Sequence, residues 1–316
     1  MTVITAMKFN EKEGAIIADE RSSGGIRQYD IATKIHILSN GDSKIITGGS
    51  GAADILYETI INAEKEIKDH KDRVSNARVI VDILTYALSK VKRNYLDGYL
   101  KSSFGLEEIN FQTGIVTMPD GTKSNIDATL MQKYYQIISG GDQGGKFISE
   151  NEFLVLANDN NGVEIYNVAM SVANPLPIAR PYESIGTGRD MADGELYNFF
   201  EKIPRDQRNK IDPVRGISAL LSAVESASAR NIGVGGTPII YIIKDSEVIT
   251  PNENNSRLAS EIVKGAKRDL LPQEFRDEAL KSLIYEKSDF KEVEGKMWNV
   301  AKDKKALDLL LRGFKI

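Results

Sequence analysis

The sequence predicts an α+β protein in which antiparallel hairpins alternate with pairs of amphipathic helices. Three observations carry this. Apolar runs come in pairs across short polar turns, as in 2–18, 33–47 and 153–168. Two long stretches, about 52–69 and 76–95, place apolar residues on one helical stripe. From Asn255 onward the chain is charged and helix-prone.

The elements follow in order. Thr2 to Phe9 alternates, Asn10 to Gly14 is polar and ends in a turn glycine, and Ala15 to Ala18 is an apolar run closed by Asp19-Glu20-Arg21. Ser22 to Gly25 is read as a loop. Thr33–Leu38 and Ser43–Thr47 form a second hairpin across Asn40-Gly41. Gly48 to Gly51 then leads into a helix carrying Ile55, Leu56, Ile60 and Ile61 on one side. A glycine-rich strand-to-helix turn offers backbone N–H groups to an anion, either a phosphate or an oxyanion. No Gly-Lys-Ser/Thr follows to make it a nucleotide loop. The next helix carries Val79, Ile80, Ile83, Leu84 and Leu88.

Between about 101 and 147 the pattern changes, and this segment is expected to be an insertion too short to bury much core of its own. Ile109 to Met118 alternates, Pro119-Asp120-Gly121 turns, and Ala128 to Ile138 is read as a short helix. Gly140 to Lys146 mimics phosphate-loop spacing until Phe147 takes the hydroxyl position, so a mobile loop is expected there. A hairpin, a proline-marked stretch, the turn Ile185-Gly186-Thr187-Gly188 and a short helix follow. Asp212 caps a strong helix with Pro213 at its first position. A glycine-bearing loop from Ser228 to Gly236 precedes the strand Ile239 to Ile243. The expected division is a core over 1–250 and a helical extension over 251–316.

Composition narrows the function. Hydrophobic content of 41% and charged content of 27% describe an ordinary globular chain. A formal charge of −4 argues against nucleic acid or an anionic membrane as partner. Without a long apolar run or a leader pattern, the expected location is the cytoplasm. The chain has no cysteine, which excludes disulfides, zinc–thiolate sites and thiol catalysis. Of its two histidines, His36 sits in an alternating segment and His70 in a charged run, so neither is expected to act as a catalytic base. Neither a metal nor a cofactor is expected.

That leaves Thr2. If the bond to Met1 is cleaved, this residue carries a free α-amine and a hydroxyl on adjacent carbons, which can serve together as base and nucleophile.

Six short segments, in order over about two-thirds of the chain, resemble proteasome β-subunits and their bacterial ring-protease relatives, the N-terminal-threonine branch of the Ntn hydrolases. Thr2 opens the first strand, and Ile16-Ile17-Ala18-Asp19-x-Arg21 is similar to the family's strand ending in Asp-x-Arg. Thr33-Lys34-Ile35 looks like its Asn-Lys-Val segment, and Gly49-Ser50-Gly51-Ala52-Ala53-Asp54 like its helix start. Ile185 to Gly188 resembles its Gly-Ser-Gly turn. Arg230-Asn231-x-x-x-Gly235-Gly236 resembles its Arg-Asp-x-x-Ser-Gly-Gly loop.

The resemblance implies a four-layer αββα sandwich and a peptide- or amide-cleaving enzyme with Thr2, Asp19 and Lys34 as catalytic residues. Gly49, Ser50 and Gly51 would supply the oxyanion site. Thr187 would stand in for the turn serine, and Asn231 would replace an aspartate without its charge. Peptide or protein substrate is then the expected partner, and a homo-oligomeric ring the expected assembly. The alternatives on the same fold are transfer of the acyl group to an amine, or a non-catalytic scaffold subunit. The latter conflicts with a strand beginning at residue 2 and with Asp19 and Lys34 both being present.

Overall fold

The computed structural model describes residues 2–24, 27–29, 34–141, 143–159, 162–169, 175–231, 233–245 and 247–312. Met1 and Thr33 lie outside the described residues. The fold is mixed α/β with two main antiparallel sheets. The first hairpin joins β1 (Ile4–Lys8) to β2 (Glu13–Ala18), and a small ribbon of β3 (Ser22–Gly24) and β4 (Arg27–Tyr29) stands where a loop was expected. The second hairpin, β5 (Ile35–Asn40) and β6 (Ser43–Ser50), turns at Gly41. It runs into α1 (Ala53–Asp69) and α2 (Ala77–Phe104).

The insertion contains α3 (Glu108–Thr113), the ribbon β7 (Ile115–Thr117) and β8 (Lys123–Asn125), α4 (Ala128–Ile138) and α5 (Gln143–Ser149). The hairpin β9 (Glu152–Asp159) and β10 (Gly162–Ala169) follows, then β11 (Tyr182–Ile185), α6 (Arg189–Glu201) and α7 (Pro213–Arg230). Asp212 caps α7 by accepting Arg215 N–H at 3.0 Å. The strands β12 (Ile239–Lys244) and β13 (Glu247–Ile249) precede α8 (Glu253–Lys267), α9 (Gln273–Leu280), a π-helical turn (Lys281–Tyr285), α10 (Phe290–Val300) and α11 (Lys304–Arg312).

One sheet has the order β11-β1-β2-β12-β13 and the other β10-β9-β6-β5. Side-chain alternation explains how both are covered. Ile4, Ala6, Ile16 and Ala18 share a buried cluster with Ile46, Leu154, Leu156 and Ile165 of the second sheet. Their neighbours Val3, Met7, Ala15 and Ile17 join Leu196, Leu220, Leu221 and Leu258 from the helices. On β9 the opposite parity, Phe153 and Val155, joins Ile55, Ile60, Leu84 and Leu88 of α1 and α2. A one-residue slip in any of these strands would exchange the two environments.

Inside the insertion, Ile109 to Met118 is not one alternating strand. A reciprocal capping box between Glu107 and Asn110 starts α3, and left-handed Gly114 ends it. Leu100, Phe111, Tyr134 and Ile137 form a small separate core, with Phe111 and Tyr134 stacked at 4.9 Å. The expected loop at 140–147 is largely α5. Gly145 permits it, because a Cβ there would lie 2.0 Å from Ile137 O. Lys146 points away to Glu150 at 3.6 Å, as a helix-face ion pair.

Lys92, 1% exposed, ties α2 to the end of the insertion by donating to Ser149 O and Asn151 O at 3.2 and 3.0 Å. Burial pushes its ammonium down to about 8 from 10.5. Between those values the unfolded chain binds more protons, so the wild type should gain stability as pH rises from about 8 to about 10.5. Below about 8 the penalty is fully present. Urea unfolding should show wild type gaining on the order of 2 kcal/mol over Lys92→Met across that window. Parallel pH dependences for the two proteins would refute the assignment.

The C-terminal helices pack into the same cluster as the first sheet through Leu258, Ile262, Leu283, Met297 and Leu307. Tyr285 donates to the buried Glu13 carboxylate at 2.7 Å. Burial raises the pKa of both groups. Among the described residues, no helix is long and apolar enough to cross a membrane.

Candidate active site

Thr2 immediately precedes β1, and the β1–β2 pairing continues one step beyond the sheet. Asp19 N–H donates to Val3 O at 3.1 Å, and Val3 N–H returns to Asp19 Oδ1 at 2.8 Å. The Asp19 carboxylate is thereby fixed beneath Thr2, with no solvent exposure. The Thr2 hydroxyl donates to the same Oδ1 at 3.0 Å, and Lys34 Nζ donates to it at 2.7 Å. Gly235 N–H reaches the other oxygen, Oδ2, at 3.2 Å. Four donors, one of them charged, make a fully buried carboxylate tenable. Lys34 also donates to Arg21 O.

The other side of Thr2 is held by the turn after β11. Thr2 N–H donates to Thr187 Oγ1 at 3.2 Å, and Gly188 N–H donates to Thr2 O at 3.1 Å. Gly186 adopts φ +88° directly against this residue, and a Cβ there would lie 2.5 Å from Thr2 O. Of the residues anticipated from sequence, Thr2, Asp19, Lys34 and Thr187 therefore meet through direct hydrogen bonds.

Asn231 is placed differently. It follows the last residue of α7, and its amide donates back to Ala227 O at 3.3 Å. Its carbonyl accepts Val234 N–H at 3.0 Å, shaping the loop that presents Gly235 to Asp19. Gly235 has φ +153° and also accepts Arg21 N–H at 2.9 Å. A backbone donor of this kind has no side-chain signature, so its contact with Asp19 was invisible in the sequence.

The three glycine-turn residues divide similarly. Gly49 N–H donates to Lys34 O at 3.4 Å and belongs to the strand ladder. Ser50 pairs with Glu152 across β6 and β9. Gly51, at φ +141°, lies outside β6, and its N–H bonds to none of the described residues. It is the member of the trio available to an incoming oxygen. Asn151 fixes it: a Cβ on Gly51 would meet Asn151 Oδ1 at 2.3 Å, and that oxygen accepts Ala52 N–H at 2.7 Å. Glu152 connects this turn to the Thr2 side by accepting Gly186 N–H at 3.4 Å. Neither Asn151 nor Glu152 lies in a motif that marks it in the sequence. Among the described residues, no group of three His, Asp or Glu is arranged to hold a metal ion.

No family model matches the sequence, and no curated protein matches it. Solved structures do share its fold. Anbu (ancestral beta-subunit) from Yersinia bercovieri aligns with TM-score 0.51 and 11% identity, over 79% of this chain and 86% of its own. An Anbu (Gly-1) mutant from Hyphomicrobium sp. strain MC1 aligns with TM-score 0.52 and 11% identity, over 85% and 96%. The likeness is one of fold alone. It corrects the assignment suggested by the six motifs: without a family match and at 11% identity, the chain is not placed among the proteasome β-subunit N-terminal-threonine hydrolases. What stands is an ancestral-β-subunit-like fold on which this chain carries its own site.

Proposed function

We propose that the protein is an N-terminal-nucleophile amidohydrolase that cleaves peptide or amide bonds through an acyl ester on Thr2. The observation that carries this is the shared oxygen: Asp19 Oδ1 accepts both the Thr2 hydroxyl and the Lys34 ammonium. We further infer that the three apolar clusters around the sheets stack as a four-layer αββα sandwich.

The chemistry begins with cleavage between Met1 and Thr2. The nitrogen now facing Thr187 Oγ1 becomes an α-amine, whose ordinary pKa of about 7.7–8.0 leaves part of it neutral near pH 7. The amine takes the Thr2 hydroxyl proton, directly or through one water, as Thr2 Oγ1 attacks the carbonyl carbon. Lys34, ion-paired with Asp19, stabilises the developing alkoxide. Gly51 N–H receives the tetrahedral oxyanion, an interaction worth about 3–4 kcal/mol. The amine's proton passes to the leaving nitrogen, and water then hydrolyses the Thr2 ester. Ring assembly would restrict the site to unfolded chains, and size exclusion with mass detection measures it.

Intact mass, N-terminal sequencing and a β-lactone probe test the proposal together. The expected result is loss of Met1 and one adduct on Thr2. Thr2→Ala should abolish labelling and lower peptide hydrolysis at least roughly 10³-fold. Its stability should change by only about 1 kcal/mol, the value of the lost hydrogen bond. A processed wild type that never labels, with hydrolysis indistinguishable from Thr2→Ala, would leave only a scaffold. An acyl-enzyme that partitions to added amines would instead identify a transferase.

A further inference from the structure

Beside the Gly51 turn, α1, the C-terminal half of α2 and α5 line an open pocket of about 470 Å³. Tyr95, Tyr99 and Phe147 line it with Ile148, and Glu58 is its one charged member. The Tyr95 and Phe147 rings sit 6.3 Å apart and tilted by 44°, so their faces are not spent on stacking with each other. Burial, and then the nearby Glu58 and Asp54 carboxylates, raise the pKa of the Tyr95 hydroxyl.

Two further observations indicate what enters. Gly98 lies in the interior of α2, where glycine disfavours a helix, yet a Cβ there would meet nothing within 4 Å. Packing does not require this glycine. It lines the cavity and leaves that part of the wall without a side chain. Second, Asp54 and Glu58, four residues apart on α1, make no ion pair among the described residues. On the neighbouring α2 and α5, Arg93 pairs with Glu108, Lys101 with Glu107 and Lys146 with Glu150. Unpaired carboxylates beside aromatic faces form a site for an organic cation.

We propose that this cavity is a recognition pocket for a lysine or arginine side chain of a peptide, with Glu58 pairing the charge and the Tyr95 and Phe147 rings flanking its stem. Asp54 stands in the first turn of α1, and Glu58 is about 6 Å further along its axis. That is roughly two residues of extended peptide. Gly51 immediately precedes α1, and Asn151, which accepts Ala52 N–H beside it, donates to Phe147 O and Ile148 O of the pocket wall, so the pocket adjoins the turn. Its part in substrate selection rests on the acyl-transfer function proposed above, whereas binding of the side chain does not.

The test uses the full-length Thr2→Ala protein, in which binding occurs without turnover. Short alanine-rich peptides with one lysine at successive positions are titrated by calorimetry against the same peptides carrying norleucine. At least one lysine position should bind about 10-fold tighter than its norleucine counterpart, and added salt should reduce the difference. Glu58→Gln and Tyr95→Leu should each bring the ratio to within about 2-fold, and Gly98→Phe should remove binding. Equal affinities, a preference unchanged by Glu58→Gln, or no binding up to about 1 mM would overturn the pocket. β-Lactone labelling of wild-type Thr2 reports separately on the chemistry. A protein that labels without a lysine preference loses the pocket alone, and one with the preference that never labels loses the chemistry alone.

Discussion

Replacing Asp19 with alanine is expected to destabilise the protein by about 3–5 kcal/mol and to abolish Thr2 labelling. Four groups converge on this carboxylate: Thr2 Oγ1, Val3 N, Lys34 Nζ and Gly235 N. Removing it strands a lysine side chain that is only 8% exposed beside a backbone carbonyl that cannot neutralise it. The unpaired charge dominates the cost, because a lost neutral hydrogen bond contributes only about 1 kcal/mol. Lys34→Met with Asp19→Ala should therefore recover much of the stability without recovering activity. Urea unfolding of the two single variants and the double variant gives the coupling energy directly. Additive losses would mean that the pair does not share one buried charge balance. Asp19→Asn preserves shape and one acceptor but not the charge, so it should fold better than the alanine variant and still fail to label.

The candidate site's side chains are more legible in the sequence than the groups that hold them. Asp19 follows an apolar run on β2, and Lys34 precedes the alternating β5; antiparallel pairing and sheet packing bring both to Thr2. Thr187 likewise takes the place expected of a turn hydroxyl. Asn231 does not reach Thr2, because the end of α7 gives its amide a nearer acceptor at Ala227. Local chemistry also overrode periodicity in the insertion, where the Glu107–Asn110 capping box made helix from an alternating stretch. Glycines misled in the opposite direction at 144 and 145. Loop-like in composition, they let α5 press against the Tyr99 ring and Ile137 O. The six motifs mark strand ends and turns, which a mixed α/β fold like that of the ancestral β-subunits shares. At 11% identity to the structures that share the fold, and with no family match, the motifs do not place the chain in the family they suggested.

Gly186→Ala should separate the turn's effect on Thr2 from its effect on the fold. The residue has φ +88°, and its missing Cβ leaves room for Thr2 O at 2.5 Å and Thr2 Cγ2 at 2.7 Å. An alanine must either adopt the strained backbone and push Thr2 aside or rotate out of that conformation. Rotation would break the contacts of Thr187 and Gly188 with Thr2. Strain and overpacking together are expected to cost roughly 2–4 kcal/mol. If Thr2 is the nucleophile proposed above, its displacement by about 1 Å is expected to slow labelling a further roughly 10²-fold even where the protein remains folded. Gly194, on α6, provides the control, since a Cβ there meets nothing within 4 Å. Gly194→Ala should be neutral or stabilising by about 0.5–1 kcal/mol, with full labelling of Thr2. Labelling rates measured well below each variant's unfolding midpoint remove the stability difference from the comparison. If Gly186→Ala then labels as fast as Gly194→Ala, the turn only closes the sheet. A 10²-fold slower rate would mean that it aims the threonine.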